Sequence, residues 1–448
     1  MLPIVEKCSV AIIGLGYVGL PLAIKLANQK SCLLTGKKLE RAVFGYDINN
    51  QRIKELSSGY DRNSIFGEEE IKKTKNLKFT NNKILLKDIE VFIITVPTPI
   101  NDENEPELSF IKEASKMVGE LIKEVKNSLF NPIIIYESTV YPGLTEEICI
   151  PIIERESKRK YNSKNFDKSF YCGYSPERIN PGDNKHTIDS IIKVTSGSNK
   201  KVANWVNLFY GSFISGGTFQ AGSIKVAEAA KIIENTQRDI NIALINELAM
   251  LFEKLNINTQ EVLDAASTKW NFHKYFPGLV GGHCIGVDPY YLTFKAKEIG
   301  FKTKLISAGR NINDFMHVYL MEKILSYKSK RKNDFSEENV LILGLSYKSN
   351  CGDIRNSQLI QLIKSFMNRD MNITVVDPRV NKEEVLKETG LKTFSSIPSN
   401  LKFTIIILAL FHDEFKSIDT NKLKEFSTQD TLIFDLTNKL VGEEIIKL

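Results

Sequence analysis

The chain has 448 residues, of which 42% are hydrophobic and 25% are charged, and its formal net charge at pH 7 is +6. This is an ordinary globular balance with room for about three domains. The mildly basic charge suits a protein that handles small anions. The basic clusters at 158–160 and 328–332 lie beside acidic or polar residues, which favours solvated loops over a nucleic-acid-binding site.

The six cysteines include no C-x-x-C pair, which argues against a zinc site or a redox pair. In a chain of this length they suggest reduced thiols of a cytoplasmic protein. The first residues, MLPIVEKCSVAIIGLG, have no signal-peptide layout. The longest apolar run, FTIIILALF at 403–411, is far shorter than the roughly 20 residues of a membrane-spanning helix. We therefore expect a buried strand there, no membrane insertion and no metal.

Short apolar runs alternate with helical stretches in the first third of the chain. The runs SVAIIGLG, AVFGYD, VFIITVP and NPIIIYES are rich in Val and Ile, and most are closed by Gly, Pro or Asp. This alternation predicts an α/β fold in which helices cover both faces of a parallel, doubly wound sheet.

The first run leads into a G-x-G-x-x-G motif formed by Gly14, Gly16 and Gly19. Such glycines permit a tight turn, close approach of a pyrophosphate, and packing of a helix on the strand. The next strand ends in Asp47, whose carboxylate suits the ribose hydroxyls of NAD and repels the 2′-phosphate of NADP. Arg52 is a candidate for the adenine side and leaves NADP open. The cofactor positions predicted inside the motif also include Tyr17 and Val18.

Further polar residues follow the later strands, in VPTP (96–99) and ESTVYPGLT (137–145). Ligands of open parallel sheets lie beyond the carboxyl ends of the strands. Thr98, Glu137 and Thr139 are therefore cofactor or substrate candidates, although Pro and Thr after a strand are also ordinary turn residues.

A long stretch without Pro or Gly runs from about Ser223 to Asn256. Its apolar residues, such as Ile240, Leu244 and Leu248, recur at helical spacing. A helix of this length is on the order of 50 Å long. It predicts a connection between domains and a surface for a second subunit.

The stretch GLVGGHCIGVDPYY (278–291) places Cys284 among glycines, with Asp288 four residues later. Glycines let the backbone approach another group closely, so an inert core thiol is disfavoured. An NAD-dependent alcohol oxidation needs no thiol, whereas oxidation of an aldehyde to an acid does. A thiolate that adds to the aldehyde gives a thiohemiacetal, which can lose hydride to form a thioester. His283 is expected to be positional.

The α/β pattern returns in NVLILGLSYK, NITVVDP, FTIIILAL and TLIFDL. NVLILGLSYK repeats the first strand and glycine turn, but it keeps only Gly344 and has Ser346 in place of the second glycine. The copy therefore predicts a second Rossmann-like domain that does not grip a pyrophosphate in the usual way. We expect an NAD-binding domain at 1–200, a central helical domain at 201–327 and a nucleotide-sugar domain at 328–448.

Four segments, VGGHCIGVDPYYL, EAAKIIENTQRDINIALINE, YSPERINPG and LGLSYKSNCGDIRNS, together resemble the signature segments of the UDP-glucose/GDP-mannose dehydrogenase family. They occur in the expected order over nearly the whole chain. The resemblance implies two Rossmann-like domains joined by a long central helix, NAD as cofactor, a UDP-sugar as substrate, and a homodimer or larger homo-oligomer. It also implies a four-electron oxidation at C6 of the sugar.

The resemblance assigns roles to residues at matching positions. Cys284 corresponds to the nucleophile, Asp288 to an aspartate that manages a water or proton, and Lys231 with Asn235 to a pair that stabilises oxyanions. Glu177 corresponds to the acid/base of thioester hydrolysis and Thr139 to a threonine near the nicotinamide. The resemblance also implies contacts with the ligands. Arg355 corresponds to an arginine that reaches the cofactor across the domain interface. The implied substrate-binding residues are Lys348, Arg178, Gly278, Gly281, Glu177, Lys231 and Asn235.

Departures from the UDP-glucose enzymes indicate the substrate. Those enzymes carry a second glutamate where this chain has Pro181, and an arginine before the cysteine where this chain reads STKWNFHKYF, with Lys269 and Lys274. The segments resemble the N-acetylhexosamine branch instead. We expect UDP-N-acetylglucosamine, with UDP-N-acetylgalactosamine or UDP-N-acetylmannosamine next and UDP-glucose after them, and a role in surface polysaccharide synthesis.

Three other classes of protein agree less well with the sequence. Tyr291 and Lys295 have the Y-x-x-x-K spacing of short-chain dehydrogenases, but lie outside the first α/β unit, so a two-electron reductase or epimerase is disfavoured. A β-hydroxyacid dehydrogenase needs neither a third domain nor a thiol. A nucleotide-sensing scaffold would not need the full set of Cys, Lys, Asn, Asp and Glu.

Overall fold

The computed structural model describes residues 1–63, 65–123, 130–163, 169–178, 187–282, 284–329 and 338–448. These residues form two compact units, Met1–Glu234 with Tyr290–Ile299, and Asn235–Pro289 with Gly300–Leu448. The predicted division into three domains is a division by role and stays a prediction. Its second boundary, between residues 327 and 328, is marked by a basic linker at about 328–337, and residues 330–337 of that linker lie outside the described residues.

The first unit contains a nine-stranded sheet in the order β3-β2-β1-β4-β5-β7-β8-β9, with β6 paired to β7. Its strands are β1 Ser9–Ile13, β2 Ala42–Tyr46, β3 Leu77–Thr80, β4 Val91–Ile94, β5 Ile133–Tyr136, β6 Lys160–Tyr161, β7 Ser169–Tyr174, β8 Lys193–Gly197 and β9 Thr218–Gln220. β1 pairs in parallel with both β2 and β4. From β1 the chain adds β2 and β3 on one side of the sheet and then returns to add β4 and β5 on the other side. Doubly wound sheets bind their ligands at the place where the strand order reverses in this way, here between β1 and β4.

Helices flank this sheet and bury its central strands β4 and β5 completely. They are α1 Gly19–Asn28, α2 Asn50–Ser58, α3 Glu68–Lys73, α4 Ser109–Lys123, α5 Ile150–Ser157 and α6 Lys200–Gly211. All four residues of β5 are fully buried. A strand covered on both faces needs apolar side chains on both, which explains the continuous run IIIY.

The second unit contains a six-stranded parallel sheet in the order β12-β11-β10-β13-β14-β15. Its strands are β10 Asn339–Leu343, β11 Asn372–Val376, β12 Thr393–Phe394, β13 Phe403–Leu408, β14 Ser427–Asp435 and β15 Ile445–Lys447. This is the strand order of a Rossmann fold. The prediction of two Rossmann-like sheets is confirmed, and the run at 403–411 supplies a buried strand as expected.

The predicted long helix is α7, Ile224–Lys254, which has 31 residues and is therefore about 46 Å long. It begins in the first unit and ends in the second. The remaining helices are α8 Thr259–Ala266, α9 Asp288–Glu298, α10 Leu305–Ser329, α11 Gln358–Met367, α12 Lys382–Thr389 and α13 Thr420–Lys424. None of the helices in the described ranges combines the length and apolar character needed to cross a membrane.

Candidate active site

The glycine motif after β1 forms a turn in which each glycine has its own reason. Gly14 has φ +98°, and a Cβ there would lie 3.1 Å from the Thr95 carbonyl oxygen. A Cβ on Gly19 would lie 1.8 Å from the Gly14 carbonyl oxygen, so the start of α1 could not approach the turn. Beside Gly16 there is open space within 4 Å. The turn is thus close-packed on the sheet side and open where a pyrophosphate would approach, with Tyr17 and Val18 leading into α1.

Asp47, just after β2, faces this turn. Its carboxylate accepts hydrogen bonds from the backbone N–H groups of Leu15, at 2.9 Å, and Asn49, at 2.8 Å. A carboxylate can accept about four hydrogen bonds, so capacity remains for the ribose hydroxyls of NAD. The residues therefore fit the predicted cofactor.

Arg52 lies beneath the same turn. It is 5% exposed, its guanidinium donates to the Leu15 carbonyl oxygen at 3.0 Å, and it pairs with Asp61 at 2.7 Å. Its charge is therefore already balanced by a carboxylate, which makes it a poor partner for the 2′-phosphate of NADP. Its predicted contact with the adenine side stays a prediction.

We expect Asp47→Ala to weaken NAD binding by roughly 10- to 100-fold, because hydrogen bonds to a charged group contribute about 1.5–3 kcal/mol. Titration calorimetry with NAD measures the change. Asp102→Ala, on an exposed loop of the same unit, is the control. Unchanged affinity in the Asp47 variant would mean that the ribose is held elsewhere.

The loops after β4 and β5 are joined through Thr98 and Thr139. The Thr98 hydroxyl donates to the Thr139 carbonyl oxygen at 2.7 Å. The hydroxyl of Tyr291, a fully buried residue of α9, donates to the carbonyl oxygens of Thr98, at 2.8 Å, and Pro99, at 3.1 Å. The structure thus brings these two predicted site residues together at the carboxyl end of the sheet.

The Tyr291–Lys295 spacing does not form a catalytic pair. Lys295 Nζ binds Glu147 at 2.6 Å and Glu298 at 3.2 Å, while Tyr291 holds the loop after β4. The hydrogen bond to Glu147 raises the pKa of Lys295. A charged lysine tied to two glutamates is unsuited to assist a tyrosine base, so the interpretation of this spacing as coincidental is supported.

The SPER turn after β7 carries Glu177 and Arg178. Glu177 is 9% exposed, and its Oε1 accepts from the Arg178 backbone N–H at 2.6 Å. The Arg178 guanidinium pairs with Glu234 of α7 at 2.8 Å and donates to the Ile192 carbonyl oxygen at 3.0 Å. Arg178 therefore fastens the turn to α7, and its role toward the substrate stays a prediction. Pro181 lies outside the described residues.

Glu137, a cofactor or substrate candidate because of its position after β5, has partners inside the protein. It is 1% exposed, it pairs with Lys193 at 2.7 Å, and its other oxygen accepts from the Tyr210 hydroxyl. Both carboxylate oxygens are thus engaged inside the protein. Because Lys193 is 56 positions away in the sequence, no local pattern indicated this pair.

On α7, Lys231 and Asn235 lie one turn apart and are 8% and 7% exposed. The Asn235 amide donates to Asp288 Oδ2 at 2.5 Å, and Asp288 is 2% exposed. Two of the predicted catalytic residues are therefore in direct contact. The amide fixes the orientation of the carboxylate at the start of α9.

One turn before Lys231, α7 carries Glu228, which the sequence analysis did not single out. Its side chain is fully buried and accepts from the backbone N–H groups of Gly143, at 2.6 Å, and Thr145, at 3.0 Å. Burial raises its pKa to about 7, although the two N–H groups act in the opposite direction.

The raised pKa makes stability depend on pH. The folded protein binds this proton more tightly than the unfolded chain, whose glutamates titrate near pH 4.3. The stabilisation is complete below that pH and is lost as the pH rises to about 7. We expect the unfolding free energy of the native protein, relative to Glu228→Gln, to fall by roughly 3 kcal/mol over this range. Denaturant unfolding at several pH values measures it, and parallel profiles for the two proteins would contradict it.

Cys284 lies in the turn that leads into α9. Its carbonyl oxygen accepts from the backbone N–H groups of Val287, at 3.1 Å, and Asp288, at 2.9 Å. Cys284 is partly exposed, whereas burial raises the pKa of Cys8 and Cys149 to about 12. Those two thiols stay protonated at neutral pH and are unreactive. Accessibility therefore agrees with the prediction that Cys284 is the nucleophile; His283 lies outside the described residues.

The glycines before Cys284 lie against the loop that follows β10. Gly282 has φ +88°, and a Cβ there would lie 2.6 Å from the Tyr347 ring. A Cβ on Gly281 would lie 2.7 Å from the Asn356 carbonyl oxygen, and the Asn356 amide donates to the Gly282 carbonyl oxygen at 3.3 Å. The loop at 278–287, which we call the cysteine loop, thus packs its backbone directly against residues of the predicted nucleotide-sugar domain. A side chain at position 281 or 282 would push this backbone away.

A buried asparagine of α7 holds the other end of this loop. Asn246 Oδ1 accepts from the Gly278 N–H at 2.8 Å, and its amide donates to the Gly278 carbonyl oxygen at 3.1 Å and to Asn313 Oδ1 at 2.8 Å. Asn246 and Asn313 are both fully buried. The cysteine loop is therefore fixed at both sides. The contacts of Gly278 and Gly281 with a substrate stay predictions.

Lys348 and Arg355 lie in the loop after β10. The Ser346 hydroxyl donates to the Lys348 carbonyl oxygen at 2.9 Å. The Arg355 Nε pairs with Asp353 Oδ1 at 3.0 Å, and the arginine side chain is 47% exposed. The structure thus gives both residues local partners in their own loop, and their roles toward substrate and cofactor stay predictions.

The second glycine turn resembles the first in how an aspartate holds it, but this aspartate is not accessible. Asp377 accepts from the N–H groups of Leu345, at 2.8 Å, and Ser346, at 3.2 Å, as Asp47 accepts from Leu15. However, Asp377 is fully buried and also contacts His412 Nε2 at 3.1 Å. Its carboxylate is covered by an imidazole, so it is not available to a ribose.

A cavity of about 350 Å³ lies in the second unit near the carboxyl end of β14. Its lining includes Lys274, Lys439, Lys447, Phe276 and Asn438. Asp435 also lines the cavity, and the Lys274 ammonium pairs with Asp264 at 2.5 Å, so the lining is of mixed charge. Among the described candidate residues that the sequence indicated by number, only Lys274 lines this cavity.

Three models of one family match successive parts of the chain. The models describe the UDP-glucose/GDP-mannose dehydrogenase family, with its NAD binding domain at residues 8–214, its central domain at 225–315 and its UDP binding domain at 341–441.

Individual proteins match over almost their whole length. The chain is 45% identical to the UDP-N-acetyl-D-glucosamine 6-dehydrogenase of Salmonella typhi, covering 98% of each chain. It is also 45% identical to the Pseudomonas aeruginosa protein of that name, covering 96% of this chain and 97% of the other. The solved structure of the UDP-D-ManNAc dehydrogenase from Pyrococcus horikoshii superposes with a TM-score of 0.83 at 30% identity, covering 98% of each chain.

Proposed function

This chain belongs to the UDP-glucose/GDP-mannose dehydrogenase family and is an NAD-dependent dehydrogenase, and from this premise we propose that it oxidises C6 of UDP-N-acetylglucosamine to the carboxylate. The observation that carries the choice of sugar is the 45% identity, over 98% of the chain, to a relative named for that substrate. Four relatives named for UDP-N-acetyl-D-mannosamine are 30–31% identical. A cytoplasmic enzyme that feeds a surface polysaccharide is part of the same proposal.

The overall reaction converts the C6 alcohol, water and two NAD to a carboxylate, two NADH and three protons. When bound, NAD accepts one hydride in each oxidation. The residues proposed to hold it are those of the first glycine turn, Asp47, Thr98 and Thr139. The UDP moiety is assigned to the second unit, whose residues 341–441 match the UDP binding domain.

In the first oxidation the C6 hydroxyl loses its proton and the carbon becomes an aldehyde. We assign the handling of this proton to Asp288, whose carboxylate is held by the Asn235 amide at 2.5 Å. The ammonium of Lys231 and the amide of Asn235 stabilise the negative charge that develops on the oxygen.

In the second oxidation the Cys284 thiolate adds to the aldehyde carbon, and the thiohemiacetal becomes a thioester as hydride leaves. Water then attacks the acyl carbon while Glu177 accepts a proton from it. The C–S bond breaks with its electron pair on sulfur, which regenerates the thiolate and releases the acid.

The deciding experiment measures product and NADH with purified protein and four sugars, namely UDP-N-acetylglucosamine, UDP-N-acetylgalactosamine, UDP-N-acetylmannosamine and UDP-glucose. We expect the highest kcat/KM for the first and two NADH per sugar. Turnover on UDP-glucose alone would overturn the choice of sugar. One NADH per sugar would favour a two-electron enzyme, and NAD binding without turnover would favour a scaffold.

We also propose a homodimer that uses the apolar stripe of α7. Leu244 and Leu251 are 53% and 48% exposed, and Leu255, the residue that follows the helix, is 55% exposed. Leu244, Leu248 and Leu251 follow a 4-3 spacing on one face of α7, and Leu255 continues it. Light scattering should give a dimer, and the double variant Leu244→Lys/Leu251→Lys should give a monomer because two charges cannot be buried there. Leu208→Lys, at a leucine 51% exposed on α6, is the control. A double variant that remains dimeric would place the interface elsewhere.

A further inference from the structure

A lysine without an assigned role lies buried beneath the SPER turn. Lys193, the first residue of β8, is 5% exposed. Its Nζ donates to Glu137 Oε2 at 2.7 Å and to the Pro176 carbonyl oxygen at 3.0 Å, and it lies 3.9 Å from Glu177 Oε2. One ammonium therefore bridges an internal carboxylate and the turn that carries the proposed acid/base.

The internal carboxylate of this bridge, that of Glu137, is itself buried and hydrogen-bonded. Glu137 is 1% exposed, and its second oxygen accepts from the hydroxyl of Tyr210, which is fully buried. The Lys193 ammonium lies 5.3 Å from the centre of the Tyr210 ring. The backbone N–H of Lys193 donates to the Gly217 carbonyl oxygen at 3.0 Å. The lysine is held from its backbone to its tip, so the position of its charge is defined.

Stability alone is a weak reason for this arrangement. Removing two charges from water is costly, and buried ion pairs are often no more stabilising than apolar side chains of similar size. What the ammonium adds is a fixed positive charge and a hydrogen bond to the Pro176 carbonyl group. Both act on the residue that follows, Glu177.

We propose that Lys193 is a positioning residue for thioester hydrolysis: through its hydrogen bond to the Pro176 carbonyl group it fixes the turn and so holds the Glu177 carboxylate where it can accept the proton from water. This rests on the role proposed for Glu177 above. Lys193 itself forms and breaks no covalent bond. Its loss should leave both hydride transfers in place and slow only the release of the acid from Cys284.

The test is a pre-steady-state experiment on Lys193→Met with UDP-N-acetylglucosamine and excess NAD. We expect a burst of two NADH per active site at a rate within about twofold of the native enzyme, followed by a steady state slower by roughly 10- to 100-fold, the order of effect of a lost positioning contact. Intact mass spectrometry of the quenched enzyme should show the sugar acyl group on Cys284. Lys193→Arg should restore most of the steady-state rate, because it keeps the charge and the donors.

Lys328→Met is the matched control, since Lys328 and Glu338 also form a buried ion pair, at 2.8 Å with side chains 6% and 5% exposed. It should show no acyl enzyme. If Lys193→Met does not fold, Tyr210→Phe, which removes one hydroxyl from the network, should show the same accumulation to a smaller degree. A burst that falls together with the steady-state rate, or slow turnover without acyl enzyme, would overturn the proposal. A native enzyme that forms only one NADH would instead refute the proposed function.

Discussion

Cys284→Ser is expected to lose acid production by at least about 10³-fold, the scale seen when a catalytic nucleophile is removed. A serine hydroxyl is scarcely ionised at neutral pH, so it does not add efficiently to the aldehyde, and an ester would be hydrolysed more slowly than a thioester. The first oxidation does not need the thiol. The variant should therefore yield aldehyde with at most one NADH per sugar, or stall before that point.

Product analysis by mass spectrometry and NADH counting measure this result. Cys351→Ser is the matched control because Cys351 is the other partly exposed cysteine in the described residues of the second unit. It should retain native activity. Acid formed at the native rate by Cys284→Ser would refute covalent catalysis, whatever the sugar.

Lys231→Ala is expected to lower kcat by about 10²- to 10³-fold, the effect of removing one donor from a developing oxyanion. The affinity for NAD should change less than twofold, because the cofactor is assigned to the glycine turn and Asp47. Lys231 is 8% exposed on a helix whose other faces carry exposed lysines. A surface lysine would show no such effect.

Steady-state kinetics together with NAD titration separate the two quantities. Lys225→Ala is the control, since Lys225 lies on the same helix and pairs with Glu147 at 3.1 Å with half of its side chain exposed. If Lys231→Ala weakens NAD binding in proportion to its loss of turnover, Lys231 serves the cofactor rather than the transition state.

The sequence alone indicated both Rossmann-like sheets, because a strand buried on both faces must be apolar over consecutive residues, as in β5 and β13. It also indicated the long helix, because apolar residues such as Ile240, Leu244 and Leu248 recur at helical spacing over a short stretch of sequence. The candidate nucleophile came from the sequence for a similar reason: Cys284, its glycines and Asp288 lie within one short stretch, so their association needs no knowledge of the fold.

Only the tertiary structure decided which charged side chains have a partner inside the protein. Arg52 is balanced by Asp61, Glu137 by Lys193, and Asp377 is covered by His412. The partners of Glu137 and Asp377 lie 56 and 35 positions away. The glycines before Cys284 likewise have their reason in Tyr347 and Asn356. Such pairings depend on which strands and loops become neighbours in space, and the spacing of residues along the sequence does not indicate these neighbours.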